Sequence, residues 1–450
     1  MTDRMTMARR EMLAGLGGLI GGTTLAGQAV AAAAAPPTAR ALMTECDYGD
    51  VTLLDGPVRV QFDQTLAALL AMDDDALLRP FRAAAGLPVG SKRLGGWYDA
   101  AAGFDPPRDM HGFIPGHTLG QYISALSRGY AVSGDARAKA KVDRLIAGFA
   151  PTITPDFYRD YPLPAYTYDK TLMGLLDAHA FAGNQQALKL VGPATDAVLP
   201  YLPGRAQDRQ LVKVPAGRNA AFGWDETYTL PENLYIAAER GAGDRFHALA
   251  RAYLLDDTYF TPLAEGRNVL PGRHAYSHVN ALASAMRAYL VDGNPRHLAA
   301  ARNGLQFVLD QSWATGGWGP NETFVAPASG GLGNSLNTTH YSFEAPCGTY
   351  GHFKVARYLM RATGESRYGD GMERLLYNAS LGVLPLRPDG SAFYYADYSE
   401  IGAKSYFEYN CPCCSGSIGQ LTADYALSTY LRDDKGLFVN LYIPSRVVWR

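Results

Sequence analysis

Five times along the chain, an apolar-periodic segment runs into a glycine-centred turn and then into a second such segment. The first members are LGQYISALSRGYAV, TLMGLLDAHAFA, ENLYIAAERGA, NALASAMRAYLV and HFKVARYLMRA. The second members follow at Gly134, Gly183, Gly243, Gly293 and Gly364, as in SGDARAKAKVDRLIAGF and DGNPRHLAAARNGLQFVL. Apolar residues spaced three and four apart predict helices. The glycine predicts a left-handed cap on the first helix, and the Asp or Asn after most of these glycines predicts an N-cap on the second. Each unit reads as a helical hairpin, and self-similarity at such a period marks a repeat architecture.

Repeated hairpins either stack into an open solenoid or close into a ring. Solenoids keep short, regular loops. The loops between these hairpins are long and rich in Gly, Pro, Trp and Tyr, as in ATGGWGPNETFVAPASGGLGNSL. Long irregular loops in a compact domain are usually functional. The pattern therefore favours a mainly α protein, a closed toroid of helical hairpins with its site where the loops gather. The tail GLFVNLYIPSRVVWR changes period: Val, Leu, Ile and Tyr alternate between turn residues, which predicts the first strands of a β region over 436–450.

The N-terminus carries an address. Arg9-Arg10 precedes a short apolar, glycine-rich stretch from Ala14 to Ala26, then an alanine-rich run into Pro36-Pro37. This is the layout of a twin-arginine signal peptide over 1–35, leaving a helical domain over 36–435. The stretch is too short and too rich in Gly, Thr and Ala for a membrane anchor. A periplasmic or secreted protein is expected, free of the membrane once the signal is removed. The twin-arginine route carries folded cargo, which suits a protein that takes up metal before export. A formal net charge of −2 offers no basic field for nucleic acid. A hydrophobic fraction of 47% supports a large core, and 28 Tyr, 17 Phe and 5 Trp supply rings for core packing and for sugar stacking.

The cysteines change the picture most. Cys411, Cys413 and Cys414 form the run CPCC, and Cys347 follows Glu344 in FEAPCGTYG. Thiolates and a carboxylate are ligands that a tetrahedral zinc ion takes. Clustered cysteines in an exported chain also suit disulfides. Adjacent cysteines pair only with strain, however, and a chain of 450 residues needs no staples. Zinc is the favoured reading, with Glu344 and Cys347 arriving from one bend and Cys413 and Cys414 from another; Cys411 and Cys46 receive no role.

Candidate acid–base groups sit in the same loops. Glu322, in GGWGPNETF with Trp318, is a carboxylate in aromatic surroundings that raise a pKa and favour proton donation. His278 opens SHVNALASAM, where the positive end of a helix favours a neutral ring able to bond a sugar hydroxyl. His117 in PGHTLGQYISAL has the same character, and Asp169, Glu226 and Glu232 stand where loops meet helices. His278 and His117 serve equally well as capping or packing residues. His340 is a candidate for a supporting role near Glu344, and His179, His247 and His297 read as packing or surface residues. The sequence contains no G-x-S-x-G elbow, phosphate loop, dinucleotide fingerprint or H-E-x-x-H.

Glu322 in its GGWG loop, Glu344 with Cys347, and Cys413-Cys414 before a helix resemble the cysteine-dependent β-L-arabinofuranosidases of glycoside hydrolase family 127. The resemblance runs from about Leu54 to the end and includes FRAAAGLP, the Gly116-His117 segment with YISALS, DGMERLLYN and the closing VNLYIPS. It implies an (α/α)6 barrel followed by the start of a β-sandwich. It also implies a zinc ion held by Glu344, Cys347, Cys413 and Cys414, with Cys413 as nucleophile, Glu322 as acid/base and His278 as a sugar contact. His117, Asp169, Glu232 and Trp318 complete the candidate substrate contacts, and the implied partner is an oligosaccharide or polysaccharide. The family's Glu-x-Cys spacing is one residue longer here, Glu-Ala-Pro-Cys. Asp169 and Glu232 replace histidines at comparable places.

The expected reaction is retaining hydrolysis. Cys413 attacks the anomeric carbon while Glu322 protonates the leaving oxygen, and water activated by Glu322 then releases the sugar. Three rivals remain at this stage. They are an inverting enzyme pairing Glu322 with Asp169 or Asp225, a toroidal polysaccharide lyase, and a non-catalytic carbohydrate binder with a structural zinc.

Overall fold

Glycines at the ends of helices set the architecture. In the computed structural model, which describes residues 40–99, 114–209 and 225–449, Gly134, Gly183, Gly293 and Gly364 all adopt left-handed φ of 69° to 80° and end a helix. Asp135, Asn184 and Asn294 then cap the next helix by accepting from backbone N–H groups of Arg137, Ala187 and Arg296. The turn at Gly243 differs. There Gly241 takes the left-handed cap and Asp244 makes no side-chain cap bond.

The helices are α1 (Pro57–Ala71), α2 (Asp74–Ala84), α3 (Leu119–Ser133), α4 (Ala136–Phe149), α5 (Pro164–Ala182), α6 (Gln185–Val198), α7 (Leu230–Glu239) and α8 (Arg245–Ala252). They continue as α9 (Thr261–Ala264), α10 (Ala275–Asp292), α11 (Pro295–Leu309), α12 (Gly331–Thr338), α13 (Ala345–Thr363), α14 (Arg367–Asn378) and α15 (Cys413–Thr429). Six of them, α3, α5, α7, α10, α13 and α15, form an inner ring, each packed on the next and α15 packed back on α3. The outer layer is α4, α6, α8, α11 and α14, each on the inner helix before it. The sixth outer place is filled from the start of the chain: α1 packs on α15. This is an (α/α)6 toroid, as the sequence pattern and the family resemblance implied.

The inner helices are buried on nearly all faces, so their polar residues satisfy one another. Toward the C-terminal ends of these helices, Arg128 bonds Asp177 at 2.8 Å and Asp424 at 3.0 Å. Arg357 bonds Asp424 at 2.8 Å, and the Tyr48 hydroxyl donates to it at 2.6 Å. The N-terminal ends of the same helices are left to form the site.

Seven short strands complete the described residues: β1 (Thr44–Glu45), β2 (Val51–Leu53), β3 (Phe343–Glu344), β4 (Tyr395–Ala396), β5 (Tyr430–Arg432), β6 (Leu437–Val439) and β7 (Ser445–Val447). All pair antiparallel, as β1-β5-β6, β2-β7 and β3-β4. Of the strands in the expected β region, β7 pairs with β2 from near the other end of the chain, and β6 extends a sheet through β5 to β1. Contacts gather Ala31–Arg450 into one unit. The segment read as a signal peptide, residues 1–35, lies outside the described residues. No helix among the described residues is long and apolar enough to cross a membrane.

Candidate active site

Two helix N-termini bring the four predicted ligands together. Glu344 ends β3 and stands at the N-cap of α13, with Pro346 in the first turn and Cys347 following it. Cys413 and Cys414 open α15 behind Pro412, after Cys411 has turned the chain through a left-handed φ of 53°. The positive end of a helix favours anions, so two such ends meeting suit thiolates and a carboxylate. The longer Glu-Ala-Pro-Cys spacing is absorbed by the passage from strand to helix.

The donor set fits a tetrahedral zinc ion. The ligand atoms of Glu344, Cys347, Cys413 and Cys414 all lie within 4.8 Å of one another, and all four residues are buried. Cys413 Sγ stands 3.2 Å from Glu344 Oε1, Cys414 Sγ 3.7 Å from the same oxygen, and Cys347 Sγ 3.3 Å from Cys414 Sγ. The last separation is far beyond a disulfide bond of about 2.05 Å, and close to the roughly 3.8 Å edge of a tetrahedron with metal–sulfur bonds of about 2.3 Å. Glu344 Oε2 is buried without a hydrogen-bond partner. The proton balance points the same way. Burial pushes Glu344, Cys347 and Cys414 well above their ordinary values, and the charge of Cys413 adds to this. Burial also raises Cys413, but bonds from Cys347, Cys414 and Tyr394 and the nearby Lys170 ammonium leave it well below the usual thiol range. Burial and mutual repulsion thus oppose ionising all four groups together, and a divalent cation relieves that opposition.

Glu322 lies beside this cluster. His274, Glu322 and Glu344 form a second group whose ligand atoms lie within 4.8 Å of one another. Asn321 and Glu322 both hold left-handed φ, 52° and 56°, and Pro320 separates them from Gly319 at 70°. Two consecutive non-glycine residues in this region cost of order 1–3 kcal/mol each and concentrate at functional sites. His274 is the N-cap of α10: its Nδ1 accepts from the Ser277 N–H at 3.3 Å, so Nε2 carries the proton and donates to Glu322 Oε2 at 2.9 Å. Burial holds His274 near 4, hence neutral. Tyr395 donates to the other oxygen, Glu322 Oε1. The sequence suggested a raised carboxyl here, and the structure corrects this. Burial pushes Glu322 up, but the bonds from His274 and Tyr395 outweigh it and hold the group below the ordinary glutamate value.

These groups open onto one cavity of about 530 Å3. Cys413, Glu344, Glu322, His274, Glu226 and Arg209 supply its chemistry, and Trp97, Tyr166, Tyr276, Tyr341, Tyr394 and Tyr395 its aromatic walls. Glu226 pairs with Arg209 at 3.1 Å, and burial raises it to about 7 against the opposing pull of Arg209.

Of the predicted residues, Glu322, Glu344, Cys413 and Glu226 reach the cavity, with Cys347 and Cys414 behind Cys413. The five predicted sugar contacts lie off its wall. His278 is one helical turn too deep: it is fully buried between Tyr228 and Tyr259, with Nε2 3.6 Å from Asp208. His117 bonds the Ile114 carbonyl at 2.8 Å and stacks behind Tyr166. Asp169 accepts from Asn233 at 2.8 Å, and Glu232 is paired with Lys354 inside the ring. Trp318, 1% exposed, packs on Phe324 and on Phe343, so it braces the strand that carries Glu344. Asp225, offered as a second carboxylate, is spent on the backbone N–H groups of Ala165 and Tyr166. The histidine that does reach the cavity is His274, the N-cap of α10, four residues before the one chosen from the sequence. Tyr394 and Tyr395 had no comparable signal.

An α/α toroid whose mouth holds one carboxylate and three thiols, beside a second carboxylate, defines a narrow class. The chain belongs to the family described as Beta-L-arabinofuranosidase, GH127 catalytic domain, which matches residues 50–427. Among solved structures it is similar to the GH127 β-arabinofuranosidase BT3674, at 18% identity and a TM-score of 0.65 over 91% of this chain and 65% of that one. It is also similar to Ara127N-Se, a GH127 β-L-arabinofuranosidase from Geobacillus stearothermophilus T6, at 16% identity and a TM-score of 0.61 over 88% of this chain and 68% of that one. The chain thus spans about 65% of the length of BT3674. No curated protein matches it.

Proposed function

We propose that the protein is an exported, retaining glycoside hydrolase that releases β-L-arabinofuranosyl or related residues from plant-type glycans. Cys413 is the nucleophile and Glu322 the acid/base. The observation that carries this reading is the placing of the Cys413 thiol and the Glu322 carboxyl on one cavity, with Glu344 lying next to both. Glu344, Cys347, Cys413 and Cys414 hold a zinc ion, which when bound supplies the positive charge that keeps the thiols ionised.

The chain's own residues do the rest. The sulfur of Cys413 attacks the anomeric carbon from the floor of the cavity. Glu322 gives its proton to the departing oxygen, so the bond to the leaving group breaks as the carbon–sulfur bond forms. Left as a carboxylate, Glu322 takes a proton from an entering water, whose oxygen displaces Cys413 with net retention. His274 and Tyr395 aim the carboxylate and favour its ionised form, which suits the second step. Arg209 and Glu226 stand at the wall where sugar hydroxyls need charged partners.

A second reading has one observation in its favour. Glu226 is raised to about 7 while Glu322 is held low, and two carboxyls with separated pKa values on one cavity are an acid and a base. An inverting enzyme would use this pair and leave Cys413 as a metal ligand. Para-nitrophenyl furanosides and pyranosides given to wild type, Cys413→Ser and Glu322→Gln separate the two. In the retaining reading Cys413→Ser loses roughly 10⁴-fold or more in kcat. Glu322→Gln loses about 10²–10⁴-fold on sugar leaving groups and far less on nitrophenolate. Turnover that survives Cys413→Ser transfers the reaction to the carboxylates.

A further inference from the structure

Glu344 belongs to two groups at once. One is the cluster with three cysteines; the other is His274, Glu322 and Glu344, whose ligand atoms also lie within 4.8 Å of one another. Cys413 and Cys414 both face Oε1 of Glu344, whereas Oε2 is buried without a hydrogen-bond partner in a residue only 4% exposed. Whichever oxygen a zinc ion among the cysteines takes, the other remains. A buried oxygen left unpaired costs free energy unless a donor or a cation meets it. The hydrolytic reading gives His274 and Glu322 separate tasks and the three residues together none.

Their geometry is that of a metal seat. His274 Nε2 lies 2.9 Å from Glu322 Oε2. Ion–ligand bonds of about 2.1 Å set neighbouring ligand atoms roughly 3.0–3.4 Å apart, so these two atoms need hardly move to share an ion. Glu322 is held from behind, its Oε1 accepting from Tyr395. The histidine is backed as ligating imidazoles are: Nδ1 lies 2.8 Å from Ser277 Oγ, which is itself 2.8 Å from the Tyr228 hydroxyl. A metal on Nε2 shifts the ring proton to Nδ1, which then donates to Ser277 Oγ. Three protein ligands leave a further position to water, and all three residues line the cavity of about 530 Å3 that gives an ion its way in.

Charge favours a second cation. Three thiolates and a carboxylate around one zinc ion carry a net formal charge of about −2. Among the described residues that line the cavity, Arg209 is the one Lys or Arg, and it is already paired with Glu226 at 3.1 Å. An imidazole beside two carboxylates selects zinc and its transition-metal neighbours over calcium and magnesium, which prefer oxygen ligands alone.

We infer that His274, Glu322 and Glu344 form a second, inhibitory site for a divalent transition-metal ion, zinc foremost, with Glu344 bridging to the ion among the cysteines. An ion in this site holds Glu322 as a carboxylate that can no longer give a proton, and it fills space the sugar needs, so metal and substrate exclude each other. The inhibition rests on the glycosidase reading; the binding of the ion does not.

The test is equilibrium dialysis against rising zinc chloride, in a buffer that does not bind zinc, followed by metal analysis of wild type, Glu322→Gln and His274→Gln. Wild type is expected to gain about one zinc per chain beyond what it holds tightly, and both variants to lose that gain while keeping the tight equivalent. Glu322→Gln keeps the shape of the side chain, and a cooperative thermal transition in each variant shows that it is folded. Calcium chloride in place of zinc is expected to give no gain. The difference between wild type and variants decides the matter, so the outcome does not depend on what the cysteines hold. An equal gain in all three proteins, an equal gain with calcium, or no gain in wild type overturns the site. With a para-nitrophenyl furanoside that wild type cleaves, kcat/KM is expected to fall roughly tenfold or more as the extra equivalent fills, through a raised KM. A rate unmoved by the filled site overturns the inhibition. A wild type that cleaves no glycoside overturns the proposed reaction instead, and the dialysis still judges the site.

Discussion

At the residue scale, Glu322 and Glu226 face one cavity from opposite electrostatic surroundings. Glu322 accepts from His274 and Tyr395 and is held low, whereas burial lifts Glu226 to about 7. This yields a pH prediction whose sign follows from the hydrogen bonds. As general acid in the first step, Glu322 must be protonated, so kcat/KM falls as pH rises through its pKa. Tyr395→Phe removes a donor that favours the ionised form, which raises that pKa and moves the falling limb to higher pH. A pH profile of kcat/KM checks this, and a limb that stays in place would separate Tyr395 from the acid's titration. The sequence made the grouping of Glu322 with the thiols legible because their chemistry is written in adjacent letters: a carboxylate in an aromatic glycine loop, and CPCC. It misassigned the histidine by one turn. His274 and His278 both fall in RHAYSHVN, and choosing between them requires the first residue of the helix, which apolar spacing alone fixes only loosely. Asp169, Glu232 and His117 misled for a related reason. The inner helices are wrapped in protein on every side, so a polar residue there finds another protein group before it finds a ligand.

At the scale of elements, the hairpins were readable because glycine has a physical monopoly on the left-handed cap, and four of the five predicted turns use it at the named position. The two-residue strands β3 and β4 were not readable, since an alternation needs more length than that to register. Yet β3 delivers Glu344 and β4 delivers Tyr395. Glycine also sets how closely inner helices approach. A Cβ on Gly120 of α3 would lie 1.9 Å from the Lys170 carbonyl oxygen of α5, and one on Gly174 of α5 would lie 2.5 Å from the Gly120 oxygen. Both obstacles are backbone, so neither can rotate aside. Gly120→Ala is expected to cost roughly 1–3 kcal/mol or more through overpacking, read as a lowered melting temperature. It should also reduce activity, because Lys170 and Tyr166 are carried on the displaced helix beside Cys413. An unchanged melting temperature would mean that the two helices can part without loss.

At the scale of the whole molecule, the four candidate ligands stand at the starts of α13 and α15, two neighbours in the inner ring. Freshly purified protein is expected to contain about one zinc per chain, and chelation is expected to lower the melting temperature, since metal bound only by the folded state adds to stability. Metal analysis and a thermal scan with and without chelator check both. Protein without zinc, with Cys413 or Cys414 in a disulfide, would remove the metal centre from the account. The ring was legible as repetition and its closure from the long irregular loops, but the pattern says nothing of which helix covers the last hairpin. That helix is α1, packed on α15 across most of the chain. A ribosome releases α1 before the other helices of the ring and α15 after them, so the first helix must wait for the rest of the ring before it finds its seat. Cys413, the proposed nucleophile, rides on that latecomer. Nascent chains should therefore be devoid of activity and of tight metal uptake until α15 has been made, and refolding from denaturant should show zinc capture in its slowest phase. Capture in an early phase would place the assembly of α13 and α15 ahead of ring closure.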